Sequence, residues 1–159
     1  MNAHLYQAIL SAPGFNIGLR CPHDEVIGID YLPTNPEQAP QTPLAKEAVR
    51  QLRAYLNDPT FAFGLPLAPA GTPFQRKVWQ RIAAIPLGQT ISYGELAKAI
   101  PSAPRAVGGA CGANPYPIVV PCHRVVAAHS KIGGFGHQQE GLLLDIKHWL
   151  LAHEHELGN

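Results

Sequence analysis

Cysteine is scarce in this chain. There are three, Cys21, Cys111 and Cys122, an odd number with no Cys-x-x-Cys pair. That argues against a disulfide framework or a four-cysteine zinc site, and a reduced, cytoplasmic setting is expected. Long hydrophobic runs are missing too. The leucine-rich stretch near the C-terminus is broken by Asp145, Lys147 and His148, so no membrane span and no membrane partner are expected. The opening residues MNAHLYQAIL carry no basic n-region, so no secretory signal is expected either. No internal repeat is visible. Charge is sparse, at 14% of residues, but 46% are hydrophobic over 159 positions. Such a chain is globular, with enough apolar surface for one domain or two small ones.

The net charge of +1 hides an asymmetry. Residues 1–71 hold four Lys/Arg against six Asp/Glu, whereas residues 72–159 hold eight against five. Six of the eight histidines lie in the second part. A mildly basic half permits a phosphate-bearing partner. In the first part Phe15, Ile17 and Leu19 alternate, and Val26, Ile27 and Ile29 head a second strand-like run, which together suggest a short antiparallel meander. The proline-rich stretch 33–43 is a loop. A helix is predicted from about Leu44 to Leu56, with Ala48, Val49, Leu52 and Leu56 inward and Asn57-Asp58-Pro59 as its stop. Phe61, Phe63, Leu65 and Leu67 then alternate in an extended linker. The domain boundary is placed at Ala70-Gly71, giving domains 1–70 and 71–159.

The second part has sharp helix punctuation. Thr72-Pro73-Phe74-Gln75 and Ser92-Tyr93-Gly94-Glu95 are two capping boxes. The first opens a helix with Phe74, Val78, Ile82 and Ile85 inward, ended by Pro86-Leu87-Gly88. The second opens a short helix through Leu96, Ala97 and Ile100. After a turn at 101–104 comes RAVGGACGAN, nearly free of bulky side chains, and the pair suggests a helix-turn-helix. Gly108, Gly109 and Gly112 each disfavour a helix by about 1 kcal/mol relative to alanine. Close helix–helix packing is the common reason for that; approach to a nucleic-acid groove is the sharper one. A last helix, 142–156, has Leu142, Ile146, Trp149, Leu150 and His153 on one stripe, and Trp79 and Trp149 are expected in the core.

The stretch IVVPCHRVV (118–126) poses the chemical question. An apolar, β-branched run that looks like a buried strand carries a thiol, an imidazole and a guanidinium side by side. Cys122 alone is more often an inert core residue than a nucleophile. Its setting shifts the balance, because Pro121 forbids regular pairing and His123 and Arg124 are expensive to bury without purpose. Reactive cysteines sit in electropositive places that favour the thiolate, and an open cleft is expected here. Cys122 and His123 can cooperate only if the chain kinks or a water bridges them. Such a base needs an orienting acid from elsewhere. Arg124 reads as a structural arginine and Cys111 as a small helix residue. His129, His137, His148, His153 and His155 read as surface or helix-end residues.

IVVPCHRVV, with RAVGGACGANPYP and GTPFQRKVWQRIAAIPLGQTISYGELA before it, resembles the O6-alkylguanine-DNA alkyltransferase family over nearly all of residues 71–159. The first 70 residues match only in length and general pattern. The resemblance implies an α/β (α+β) fold: a small N-terminal ribonuclease-H-like β-sheet domain and a C-terminal helical domain of winged helix-turn-helix type. It implies a single-turnover repair enzyme that moves an alkyl group from guanine O6, and from thymine O4 as well, onto Cys122. His123 would take the thiol proton through a water, Glu154 would orient His123, and Tyr93 would protonate the leaving guanine. Arg105 would fill the gap left by a flipped nucleotide, while Ala106, Gly108, Gly109 and Ala110 face the minor groove, which tips the small-residue helix toward the groove reading. Asn114 would brace the turn, backbone groups of Cys122, Val125 and Gly136 would meet the base edge, and Phe135 would line the pocket. The partner would be double-stranded DNA containing alkylated guanine, bound by a monomer able to cluster on DNA. Binding should be salt-sensitive and weak in sequence preference. No cofactor is implied. Some relatives bind zinc in the N-terminal domain; here only Cys21 and His23, with His4 distant, are suggestive, so no metal is expected. The chain is shorter than common members between Tyr93 and Arg105, and longer between Phe135 and Lys147. Two other readings stay open: lesion-binding relatives without activity, which usually replace the cysteine by tryptophan, and a cysteine hydrolase, which would need an oxyanion hole.

Overall fold

The computed structural model describes residues 5–127 and 141–158. The chain divides into two compact units, Met1–Pro69 and Ala70–Asn159. In the first, strands β1 (Ala8–Ala12), β2 (Phe15–Arg20) and β3 (Gly28–Leu32) form an antiparallel sheet in the order β1-β2-β3. Pro13 and Gly14 make the tight β1–β2 turn, Gly14 at φ +85°, where a side chain is strained. Phe15, Ile17 and Leu19 are buried on the central strand, as their alternation predicts.

Helix α1 (Pro43–Asn57) packs on β1. It starts at Pro43, one residue earlier than predicted, because Thr42 Oγ1 accepts from the Ala45 amide at 3.0 Å and proline suits the first helical position. Its inner face holds Ala45, Ala48, Val49, Leu52 and Tyr55, while Leu56 is only half-buried. Buried Gln51 belongs to that face too. Its amide accepts from the Gly64 N–H at 2.8 Å and donates to the Gly64 carbonyl at 3.2 Å, pinning the extended linker. Linker contact thus draws a polar residue inward, which helical periodicity does not reveal.

In the second unit both predicted capping boxes form. Thr72 and Gln75 exchange bonds at the start of α2 (Pro73–Ala83), at 3.1 and 3.0 Å, and Ser92 and Glu95 do so at α3 (Tyr93–Ala99), at 3.0 and 3.3 Å. Helix α4 (Pro104–Gly112) packs against both. Trp79 Nε1 donates to the Ala110 carbonyl at 2.8 Å, fixing α2 to α4 through a buried bond. Phe74 is only half-buried, and Trp79 takes its place in the core. The two-residue strands β4 (Ile91–Ser92) and β5 (Val125–Val126) pair in parallel.

Helix α5 (Leu142–Gly158) departs from its predicted stripe. Ile146 and Leu150 are buried, but so are Lys147 and Glu154, while Trp149 and His153 are half-buried and stacked at 4.7 Å between ring centroids. The buried face is rotated so that two charged residues enter the interior. Such a placement is stable only where partners wait for them. Among the described residues no helix is long and apolar enough to cross a membrane.

Candidate functional site

The run 118–126 is not one strand. Ile118 sits at φ +76°, a strained value for a β-branched residue, and a turn follows. Pro121, at φ −81° and ψ 67°, centres an inverse γ-turn closed by the Cys122 amide on the Val120 carbonyl at 2.8 Å. Cys122–Arg124 then wind as one 3₁₀ turn, and only Val125–Val126 pair as strand β5. Proline dictates this, since it offers no amide to a ladder. The kink required for the thiol and imidazole to cooperate is therefore present, and it places a thiol, an imidazole and a guanidinium on one turn.

Each side chain is held from a different element. Asn114, just past α4, donates from Nδ2 to the Val120 carbonyl at 2.9 Å and to Cys122 Sγ at 3.2 Å, while Oδ1 accepts from the Tyr116 amide at 2.9 Å. It thus braces the turn and touches the sulfur itself. His123 is completely buried; its Nε2 lies 2.7 Å from Glu154 Oε2 on α5. The same carboxylate takes Arg124 Nε at 2.8 Å on Oε1 and Nη2 at 3.0 Å on Oε2. Arg124 Nη1 also donates to the Ile85 carbonyl at 2.7 Å. Arg124 does hold backbone, then, but its larger engagement is with Glu154.

Two groups that sequence reasoning missed complete the cluster. Lys147 is fully buried, donates from Nζ to the Val125 carbonyl at 2.8 Å and lies 5.7 Å from the centroid of the Tyr93 ring. Burial pulls its pKa down to about 8, against the opposing influence of the thiols Cys111 and Cys122. The signal available was a lone lysine inside an apolar run, where it served only as a break in hydrophobicity. Cys111 is the second: its thiol acts on that of Cys122 and raises its pKa. Its neighbourhood with Asn114, one turn later on the same winding, was the available clue.

The electrostatics differ from the expectation of a thiolate-favouring, open cleft. Cys122 is 2% exposed. The Cys111 thiol and burial push the Cys122 thiol well above its ordinary range, with the Asn114 amide and the Lys147 ammonium acting the other way. Desolvation outweighs the single nearby cation, so the resting sulfur is a protonated thiol. Burial, then the two thiols, raise the Tyr93 hydroxyl, which stays a proton donor. Burial also lowers His123 despite Glu154, with Arg124 and Lys147 adding to the fall, so at neutral pH its imidazole is neutral and able to accept a proton. A small neutral alkylating reagent such as iodoacetamide should therefore modify Cys122 in the folded chain at pH 7 at least about tenfold more slowly than in the unfolded chain. The gap should close as pH rises and thiolate forms. Peptide mass mapping over time reads the rates, and equal rates at pH 7 would contradict the assignment.

The predicted residues fall into three groups. Cys122, His123, Glu154, Tyr93, Asn114 and Val125 come together around the turn. Arg105 and Ala106 are exposed at the start of α4, and Gly108 and Gly109 follow on it. A Cβ built on either glycine would meet nothing within 4 Å, so close packing inside the protein does not explain them. Ala110, in contrast, is buried at 3% with its carbonyl bonded to Trp79, and it faces the interior because α4 must dock there. Phe135 and Gly136, like His129 and His137, lie outside the described residues. In the first unit Cys21 is buried and His23 exposed, and among the described residues no cluster of three or more His, Cys, Asp or Glu could hold a metal.

A buried cysteine on a proline-forced turn, with an imidazole–carboxylate pair behind it and a helix-turn-helix in the same unit, defines a class: nucleic-acid-associated proteins whose chemistry is centred on a thiol. The comparisons with known proteins narrow it. Residues 73–156 match the 6-O-methylguanine DNA methyltransferase DNA binding domain. The methylated-DNA–protein-cysteine methyltransferase of Methanosarcina acetivorans is 48% identical over 111 residues, covering 69% of this chain and 68% of that one. The crystal structure of Mycobacterium tuberculosis O6-methylguanine methyltransferase is 34% identical, covers 93% of this chain and 91% of that one, and superposes with a TM-score of 0.77. The same Mycobacterium tuberculosis protein in complex with DNA gives 0.75 at the same identity and coverage. This chain belongs to the 6-O-methylguanine DNA methyltransferase family.

Proposed function

We propose that this chain repairs DNA by moving an alkyl group from the O6 atom of guanine, and from O4 of thymine, onto the sulfur of Cys122. It is a methylated-DNA–protein-cysteine methyltransferase by reaction, in keeping with its curated relatives. One observation carries the reading: Cys122 shares its turn with a buried His123 whose Nε2 is 2.7 Å from a buried carboxylate, a nucleophile–base–orienter order built into one unit. The open face of α4 supports DNA as the partner. Arg105, Ala106, Gly108 and Gly109 form a surface with one long cation and little bulk, suited to the minor groove, which is about 6 Å wide.

The chemistry follows from the side chains. A guanine in the stack hides O6, so the nucleotide is flipped out, at a few kcal/mol, with Arg105 occupying the gap. The Cys122 proton passes through a water to His123, and the charge on the imidazole is met by Glu154. Sulfur attacks the alkyl carbon; the carbon–sulfur bond forms as the carbon–O6 bond breaks. The electron pair returns to the guanine ring, where the Tyr93 hydroxyl supplies a proton at N3. Lys147 keeps a positive charge beside the sulfur as the thiolate develops, and this role weakens above its pKa of about 8. Asn114 holds the sulfur in line with its amide. The thioether has no good leaving group, so each chain reacts once, as a monomer and without a cofactor. Phe135 and Gly136 would complete the pocket.

Incubation with a duplex containing one O6-methylguanine should raise the intact mass by one methyl in place of one hydrogen, once per chain, and peptide mapping should place it on Cys122. No mass change, or a methyl on another residue, would reject the reading.

A further inference from the structure

The proposed function accounts for Cys122, His123, Glu154, Tyr93 and Asn114, and leaves Arg124 without a chemical part. Its placement is more constrained than a surface ion pair. The side chain is 13% exposed and Glu154 is 2% exposed. Three of its nitrogens are engaged: Nε and Nη2 each take a different oxygen of Glu154, at 2.8 and 3.0 Å, and Nη1 takes the Ile85 carbonyl just beyond α2, at 2.7 Å. The guanidinium is planar and its donors are fixed in a fork, so these three bonds lock it.

The hydrogen-bond inventory then decides the state of the neighbour. A guanidinium has donors and no acceptor, so both Glu154 oxygens act as acceptors. Oε2 is shared between Arg124 Nη2 and His123 Nε2, the latter at 2.7 Å. A carboxylate gripped on both oxygens by a guanidinium is ionised and has no hydrogen to give, so Nε2 carries the hydrogen and donates it. In a neutral imidazole the other nitrogen is then bare. That nitrogen, Nδ1, is buried and makes no hydrogen bond within the protein among the described residues. It is the one atom of the ring available to receive a proton.

We propose that Arg124 is a positioning residue of the transfer: by holding both oxygens of Glu154 as acceptors, it fixes His123 with hydrogen on Nε2 and its basic lone pair on Nδ1. The inference rests on the alkyl-transfer reading of Cys122, but the tautomer it specifies exists in the resting protein. Arg124 also acts by charge. The charged groups acting on His123 are Glu154 and Lys147 from α5 and Arg124 from its own turn, and the two cations resist protonation of the ring while Glu154 favours it. Near the relay, α2 contributes the Ile85 carbonyl, α3 and α4 place Tyr93 and Cys111 by the thiols, and His148 and His155 border a cavity of about 370 Å³ that Glu154 also lines.

The test uses the full chain and single-turnover transfer from a duplex containing O6-methylguanine, followed across pH. Arg124→Gln removes the cation and the fork; the acid limb of the rate profile should move up by about one pH unit, because the His123–Glu154 pair then retains its proton longer. Its plateau rate should fall at least about tenfold. Arg124→Lys keeps the charge but not the bidentate grip, so its limb should stay in place while its plateau falls. Thermal melts confirm that each variant is folded. A folded Arg124→Gln chain with an unmoved limb would show a merely structural arginine and overturn the inference. Nitrogen-15 shifts of His123 in the unaltered chain give a readout that needs no variant: the Nε2-protonated neutral form is expected, and the Nδ1-protonated form overturns the inference. Absence of transfer by the unaltered chain would instead reject the functional reading, and the nitrogen shifts would still report the tautomer.

Discussion

Replacing Cys122 by serine should abolish alkyl uptake while leaving DNA binding within about threefold of the unaltered chain, a change under 1 kcal/mol. Serine keeps the size class and can still accept the Asn114 amide that now reaches Sγ at 3.2 Å. A hydroxyl gives up its proton far less readily than a thiol and is a much weaker nucleophile toward an alkyl carbon. Nothing in the exposed face of α4 changes, since Arg105, Ala106, Gly108 and Gly109 lie on another element. Intact mass after incubation with methylated duplex reads the chemistry, and fluorescence anisotropy with the same duplex reads the binding. A serine variant that still gains a methyl would remove Cys122 from the reaction.

Glu154→Ala should strongly destabilise the second unit. The carboxylate is 2% exposed and receives three bonds, from His123 Nε2 and from Arg124 Nε and Nη2. Its removal leaves His123 Nε2 and Arg124 Nε and Nη2 without their acceptor, with only Nη1 still bonded, to the Ile85 carbonyl. Breaking a buried pair by deleting one partner costs about 3–5 kcal/mol. That is a large part of the stability of an ordinary domain, about 5–15 kcal/mol. Urea unfolding should show the loss as a lower midpoint with an unchanged slope. Alkyl transfer in whatever fraction stays folded should fall by about a hundredfold, because the base has lost the group that orients it and meets its charge. A stability loss under about 1 kcal/mol would mean that Arg124 and His123 find other partners.

Much of this was legible along the chain. The capping boxes at Thr72 and Ser92 are local devices, formed by residues three apart, so a sequence read in order shows them. The alternation of Phe15, Ile17 and Leu19 likewise reports one strand face. Pro121 announced the kink at Cys122, since a missing amide acts wherever it stands. The family motif carried the rest of the reaction. Less visible were residues that break a pattern for a distant partner. Gln51 turns inward for the linker at Gly64, and Lys147 turns inward for the Val125 carbonyl. On periodicity alone both look like solvent-facing positions.

The sequence by itself determined the fold class and the family and nominated the groups proposed to react, because these rest on local pattern and residue type. Only the tertiary structure decided their protonation and their grouping. Cys122 is a protonated thiol at rest because burial and the Cys111 thiol prevail over Lys147. Arg124 belongs to Glu154 because a turn at 122–124 and a helix thirty residues on meet in the interior. Both outcomes depend on the dielectric and the neighbours at a point in space, and those are properties of packing that no stretch of chain contains.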